Sequence, residues 1–150
     1  MTPLNVQCLP FTGIWVGMKI LPDIAQHQDS ATVVCKWGHQ TIQMTLLRYL
    51  DRMNISFYWK DIRDNDYTEV CHYPLELKED NRTKCLNQTG LPNFEHEDYP
   101  DEDWTRAIKV SGLKYQAHIK CAIFFPGDRP QESVPKLVKV LGNHQALHYS

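Results

Sequence analysis

No stretch of this chain stays apolar for long. Its longest aliphatic and aromatic run is residues 122–125, whereas a membrane-spanning helix needs about 20 such residues. The opening Met1-Thr2-Pro3-Leu4-Asn5 lacks the basic segment followed by an apolar one that marks a signal peptide. Net charge is only −2, and Lys and Arg are scattered, so the basic stripe that neutralises nucleic-acid phosphates is missing. There is no Gly-x-Ser-x-Gly elbow, no phosphate-cradling glycine loop and no internal repeat. None of the cysteines forms a Cys-x-x-Cys pair, which argues against zinc ribbons and thioredoxin-type redox sites. These absences set aside nucleic-acid binding and leave no legible catalytic signature.

What is present is ordinary for a globular domain: 42% apolar and 23% charged residues. A chain of 150 residues buries roughly 68–70% of its extended surface, enough for a hydrophobic core. One domain spanning 1–150 is expected, with flexible ends at about 1–12 and 142–150.

Three N-glycosylation sequons occur: Asn54-Ile-Ser56, Asn81-Arg-Thr83 and Asn87-Gln-Thr89. Seven Asn and fourteen Ser plus Thr would give roughly 0.7 by chance, so the excess points to the secretory pathway. Asn81 and Asn87 lie in a polar stretch, 78–90, that reads as a surface loop. Asn54 opens the apolar run Ile55-Ser-Phe-Tyr-Trp59, so a glycan there requires an exposed strand end. A secretory chain that starts this way is expected to be a trimmed ectodomain or mature domain with an added initiator Met. Membrane attachment would then run only through a segment absent from it. The competing reading is a cytosolic protein with accidental sequons.

Short β-type runs lie between Pro- and Gly-rich ends. Residues 14–20, 32–37, 55–59, 67–73 and 136–141 are rich in β-branched and aromatic side chains. Residues 107–110 and 115–125, joined through Ser111-Gly112, resemble a hairpin. Residues 41–54 fit both a strand and a helix: Ile42, Met44 and Leu46 alternate, while Ile42, Leu46, Tyr49, Leu50 and Met53 share a helical face. A strand over the first half with a helical turn after it is the preferred choice. Residues 95–103 read as an acidic loop. Short strands separated by turn residues suggest a β-sandwich or barrel.

Five cysteines stand at positions 8, 35, 71, 85 and 121. In an oxidising compartment they give two disulfides and one leftover thiol. The preferred pairs are Cys35–Cys121 and Cys71–Cys85. Cys35 ends an apolar strand, and Cys121 continues the inward alternation Ala117, Ile119, Cys121, Ile123, so both should face a core. Cys71–Cys85 would pin the loop with the sequons, leaving Cys8 unpaired or bonded to another chain. In the cytosol all five would be reduced, buried thiols.

Two of these strands resemble those of an immunoglobulin-like domain. Ser30-Ala-Thr-Val-Val-Cys-Lys-Trp37 resembles the strand with the first core cysteine, and Tyr115-Gln-Ala-His-Ile-Lys-Cys121 the strand with the second. The family pattern at the second is Asp-x-Ala-x-Tyr-x-Cys; Ala117 and Cys121 match it, Ile119 replaces the corner tyrosine, and Tyr115 the aspartate. The family's core tryptophan follows its first cysteine by about a dozen residues, near Tyr49 here, whereas the nearest tryptophans are Trp37 and Trp59. The wide cysteine separation requires an insertion or a different sandwich. Compact glycosylated sandwiches with such departures resemble the ectodomains of herpesvirus, especially cytomegalovirus, immunoevasins. That resemblance implies interference with host immune recognition through class I histocompatibility molecules.

His144 and His148 have the i, i+4 spacing of a shared metal, and Cys35 with His39 offers a second pair, yet the glutamate of a zinc protease is missing. Asp61, Asp64, Asp66 and Glu69 lack the glycine and alternation of a calcium loop. A thiol enzyme would draw on Cys121 or Cys71 with one of seven histidines, a pairing unreadable from sequence. The acidic run offers docking onto a basic partner, with Phe94, Tyr99 and Trp104 as aromatic anchors. The expectation is therefore an all-β, immunoglobulin-like β-sandwich with long polar loops and at most one short helix. Its function would be non-catalytic protein recognition in the secretory lumen or outside the cell, with no metal, cofactor or nucleic acid. Against it stand a cytosolic β-domain adaptor or host-interaction factor and a metal- or thiol-dependent enzyme.

Overall fold

The structure, a computed structural model, describes residues 14–22, 24–26, 29–39, 52–74, 84–98, 105–124 and 129–141. Its strands are β1 (Ile14–Leu21), β2 (Ile24–Gln26), β3 (Ala31–His39), β4 (Asn54–Asp61), β5 (Thr68–Pro74), β6 (Lys84–Cys85), β7 (Asn93–Glu97), β8 (Thr105–Ser111), β9 (Ala117–Phe124), β10 (Gln131–Glu132) and β11 (Lys136–Leu141). No helix of the described residues is long and apolar enough to cross a membrane. Residues 41–51, where a helical turn was expected, and the ends at 1–13 and 142–150 lie outside the described residues.

The strands form two sheets, one of four strands ordered β1-β3-β8-β7 and one of seven ordered β2-β11-β9-β4-β5-β6, with β10 also paired to β9. All pairings are antiparallel except β11 with β2. Lettering β1, β3, β8 and β7 as A, B, E and D, and β11, β9, β4, β5 and β6 as G, F, C, C′ and C″, gives the strand order of an immunoglobulin variable-type sandwich.

Alternation builds the core. On β4, Ile55, Phe57 and Trp59 point inward and are fully or almost fully buried; Val33, Cys35 and Trp37 do the same on β3, and Ala117, Ile119, Cys121 and Ile123 on β9. Burying each such aliphatic or aromatic side chain contributes roughly 1.5–3 kcal/mol. Cys35 of one sheet is bonded to Cys121 of the other at a Cα–Cα distance of 6.3 Å, and Cys71 to Cys85 across the β5–β6 ladder. Phe57 lies directly opposite Cys121, and Trp59 opposite Ile119. Large aromatic side chains thus fill the strand-C position beside the bridge, later in sequence than the family spacing because residues 40–53 intervene between β3 and β4. No tyrosine corner forms: Ile119 is wholly buried, and Tyr115 is at the surface.

Two local expectations are corrected. The segment Ser111-Gly112 is not a hairpin turn, because β8 pairs with β3 and β7 while β9 pairs with β4, β10 and β11. The connection instead crosses between sheets: Gly112 takes a left-handed φ of 74°, and Leu113 drops into the core. The acidic stretch is not wholly loop either, since Asn93–Glu97 forms β7 against β8.

Strand G is interrupted between β10 and β11. There Ser133 takes over the ladder: its backbone N–H donates to the Cys121 carbonyl (2.8 Å), and its Oγ accepts the Cys121 N–H (3.0 Å). Both backbone groups of Cys121 are thereby paired, as burial demands.

Loop-closure entropy makes the wider bridge the more valuable. Replacing Cys35 and Cys121 by Ala is expected to lower stability by about 4–5 kcal/mol, against about 3 for Cys71 and Cys85. Urea unfolding of both variants measures this; an equal loss would mean that loop length does not set the effect.

Candidate functional site

The outward residues of β4 are Asn54, Ser56, Tyr58 and Lys60, opposite Phe124, Ala122, Lys120 and His118 of β9. β5 joins them through an irregularity. Phe57 pairs with Cys71 but Tyr58 with Glu69, so Val70 is an extra residue, buried beside the equally buried Cys71. This bulge keeps Glu69 and His72 on the same outer face, where both reach Ser56.

Ser56 Oγ lies 2.7 Å from Glu69 Oε2 and 2.7 Å from His72 Nδ1. The hydroxyl has one proton, donated to the carboxylate, so the Nδ1–H of His72 donates to Ser56 Oγ. The grouping resembles a serine hydrolase only by residue type. Ser56 is 0% exposed, and acid and imidazole converge on its oxygen rather than forming a relay through the two ring nitrogens. It is a structural clamp between the central strand and β5.

Beside the clamp lies an aromatic and cationic array. Lys120 Nζ sits 4.4 Å from the Tyr67 ring centroid and 5.8 Å from that of Tyr58, and Lys60 Nζ 5.5 Å from Tyr67. Lys120 also pairs with Glu132 of β10 at 3.0 Å. His72 meets Phe124 edge-on, with centroids 6.4 Å apart. Burial, and then the charge of Glu69, hold the Tyr58 hydroxyl above its ordinary pKa, so at neutral pH it is an uncharged donor. Cation–π contacts of this kind are worth about 0.5–1 kcal/mol at exposed sites and more once a partner excludes water.

A second cluster caps one end of the sandwich. The buried Asp61 carboxylate accepts from the Arg63 backbone N–H (2.6 Å), Nε and Nη2 (2.6 Å), and the Arg63 guanidinium lies 4.2 Å from the Tyr115 centroid. A cleft of about 70 Å³ here is lined by Trp59, Asp61, Leu91, Pro92 and Tyr115 among others. On the outer face of the smaller sheet, Trp15 is 50% exposed and lies over Gly38, where a Cβ would meet its ring at 2.7 Å.

The residues singled out from sequence fare differently. Both preferred cysteine pairs are joined. A metal or thiol site using Cys35, Cys71 or Cys121 has no thiolate to use, because all three sulfurs are in disulfides. Among the described residues no group of three His, Cys, Asp or Glu could hold a metal ion. Phe94 is not a surface anchor: it is 7% exposed and packs edge-on against Trp59 at 5.3 Å, because it is an inward residue of β7. Tyr99, Trp104, Asn81, Cys8, His144 and His148 lie outside the described residues. Asn87 is exposed after β6, and Asn54 is half-buried at the start of β4. The clamp and the array escaped the sequence reading. The alternation Asn54, Ser56, Tyr58, Lys60 was its one available signal, and the bulge at Val70 hid the partners.

Arg63 hydrogen bonding, aided by its charge, holds the Asp61 carboxyl below its ordinary range despite the opposing effect of burial. The stability this contributes is fully present above the unfolded value near 4 and is lost as pH falls through the lower folded value. Between about pH 5 and pH 2 the urea midpoint of the parent should therefore fall more steeply than that of Asp61→Asn. Parallel curves would disprove the linkage. Against known proteins, no family model and no curated protein matches this chain.

Proposed function

We propose that this chain is a non-catalytic protein-recognition domain of a lumenal or extracellular glycoprotein, and that its partner docks on the outer face of the seven-stranded sheet. The carrying observation is the convergence there of Lys60, Lys120, Tyr58, Tyr67 and Phe124 around a rigid polar clamp. Aromatic side chains supply large contact area at low entropic cost, and partly desolvated cations beside them supply orientation and specificity. Lys84 and Lys139 are exposed on the same face, so among the described strand residues cations outnumber Glu69 and Glu132 there and the fitting partner presents carboxylates between apolar groups.

Two disulfides favour an oxidising compartment over the cytosol. With four cysteines bonded to one another, Cys8 has no cysteine left in the chain to pair with. Alkylation of the native monomer should label one thiol before reduction and all five afterwards. Five labels without reduction would favour the cytosolic adaptor reading instead. The resemblance to cytomegalovirus immunoevasin ectodomains makes class I histocompatibility molecules the first partners to try.

The decisive experiment recovers partners from cells with the secreted, disulfide-intact protein and measures binding by the parent, by Lys60→Glu/Lys120→Glu and by Trp15→Ala. Charge reversal should weaken binding about tenfold or more; because the Lys120 side chain is only 18% exposed, the urea midpoint of each variant is measured alongside to separate this from a loss of fold. Loss of binding in Trp15→Ala alone would place the site on the opposite sheet.

A further inference from the structure

We propose that Asn87 carries an N-linked glycan that roofs the open side of the sandwich between β6 and β7, and that Asn54 stays bare. The inference rests on the lumenal reading above. Strands β6 and β7 end their respective sheets, and no described strand pairs with the outer edge of either. Between them opens a cleft of about 360 Å³, lined by Cys85, Leu86 and Asn87 on one side and Asn93, Phe94 and Glu95 on the other. Beneath it are the Cys71–Cys85 bridge and the Phe94–Trp59 contact, so a foreign strand pairing here would reach the core. β7 contains neither proline nor lysine, and only Glu95 and Glu97 blunt its edge.

The sequon Asn87-Gln-Thr89 is exposed at all three residues and starts two positions after β6 ends. A glycan there projects from the mouth of the cleft. Asn54 differs in each respect. It lies between Pro74 and Phe124 on a strand paired on both sides, and the Ser56 hydroxyl of its sequon is buried against Glu69 and His72. A sugar on Asn54 would stand on the docking face.

The modification joins Asn87 Nδ2 to C1 of N-acetylglucosamine. The C1–O bond to the pyrophosphate of a lipid-linked oligosaccharide breaks, the pyrophosphate leaves with the bonding pair, and the carboxamide loses one proton. No oxidation state changes.

The test expresses the full chain in a secretory host and maps glycopeptides in the parent and in Asn54→Gln, Asn81→Gln, Asn87→Gln and Thr89→Ala. Asn87→Gln and Thr89→Ala should each lose one glycan mass and show a several-fold larger aggregated fraction; Asn54→Gln should change neither. Trimming the glycans enzymatically from the folded parent should raise aggregation in the same way, which keeps the test valid if a variant fails to fold. A bare Asn87 beside an occupied Asn81, or an occupied Asn87 whose loss leaves aggregation unchanged, overturns this proposal alone. A secreted chain bare at every sequon overturns it together with the glycoprotein reading.

Discussion

Cys35 and Cys121 sit mid-strand in opposite sheets, and their bridge sets the spacing at which two apolar faces meet. Met18 and Arg106 flank Cys35 in its sheet and Phe57 flanks Cys121, so the sulfur link lies within side chains packed from both directions. The neighbouring backbone is equally committed. Ser133 binds both the N–H and the carbonyl of Cys121, which lets strand G break and resume without stranding a buried polar group. With the inner faces fixed, every outward residue of β4 and β9 has a defined position, and the surface array is geometrically determined by the core beneath it.

Legibility from sequence followed the strength of local patterns. Strands with an apolar face, such as Ala31–His39 and Ala117–Phe124, declared themselves through β-branched residues and alternation. The short strands Ile24–Gln26, Lys84–Cys85 and Gln131–Glu132 did not, because two or three residues carry no period. Asn93–Glu97 was masked by its charge: a single inward Phe94 among acidic neighbours looks like a loop aromatic until the sheet behind it is known. The inter-sheet crossing after Ser111 was misread for a similar reason, since a Ser-Gly pair fits a hairpin unless the burial of Leu113 is visible. The cysteine partners were legible because each was tied to a strand face or a loop length. The outer-face clamp was not, because it joins residues thirteen and sixteen positions apart across a bulge.

The two outer faces have different characters. On the smaller sheet Thr32 donates to Glu97 at 2.7 Å and the exposed Trp15 lies over Gly38. On the larger one several rings and cations are held by neighbours within the chain. Side chains fixed in this way lose less conformational freedom on association, so more of each contact is retained as affinity. On the proposed reading, the clamp of Ser56, Glu69 and His72 serves recognition indirectly, by fixing β5 against β4, the strand that displays Tyr58 and Lys60.

The bulge at Val70 has an evolutionary corollary. In a regular ladder, removing one residue inverts every later side chain, which makes strand interiors intolerant of length change. Here the reverse holds at one position: without Val70, Glu69 and Cys71 would still face Tyr58 and Phe57, and His72 would still face Ser56. The register would let the chain shorten by one codon at this site, at the cost of one aliphatic side chain from the interior and of the bond that the Val70 carbonyl accepts from the Leu86 N–H. Natural length variants of this sheet should therefore cluster at that single step.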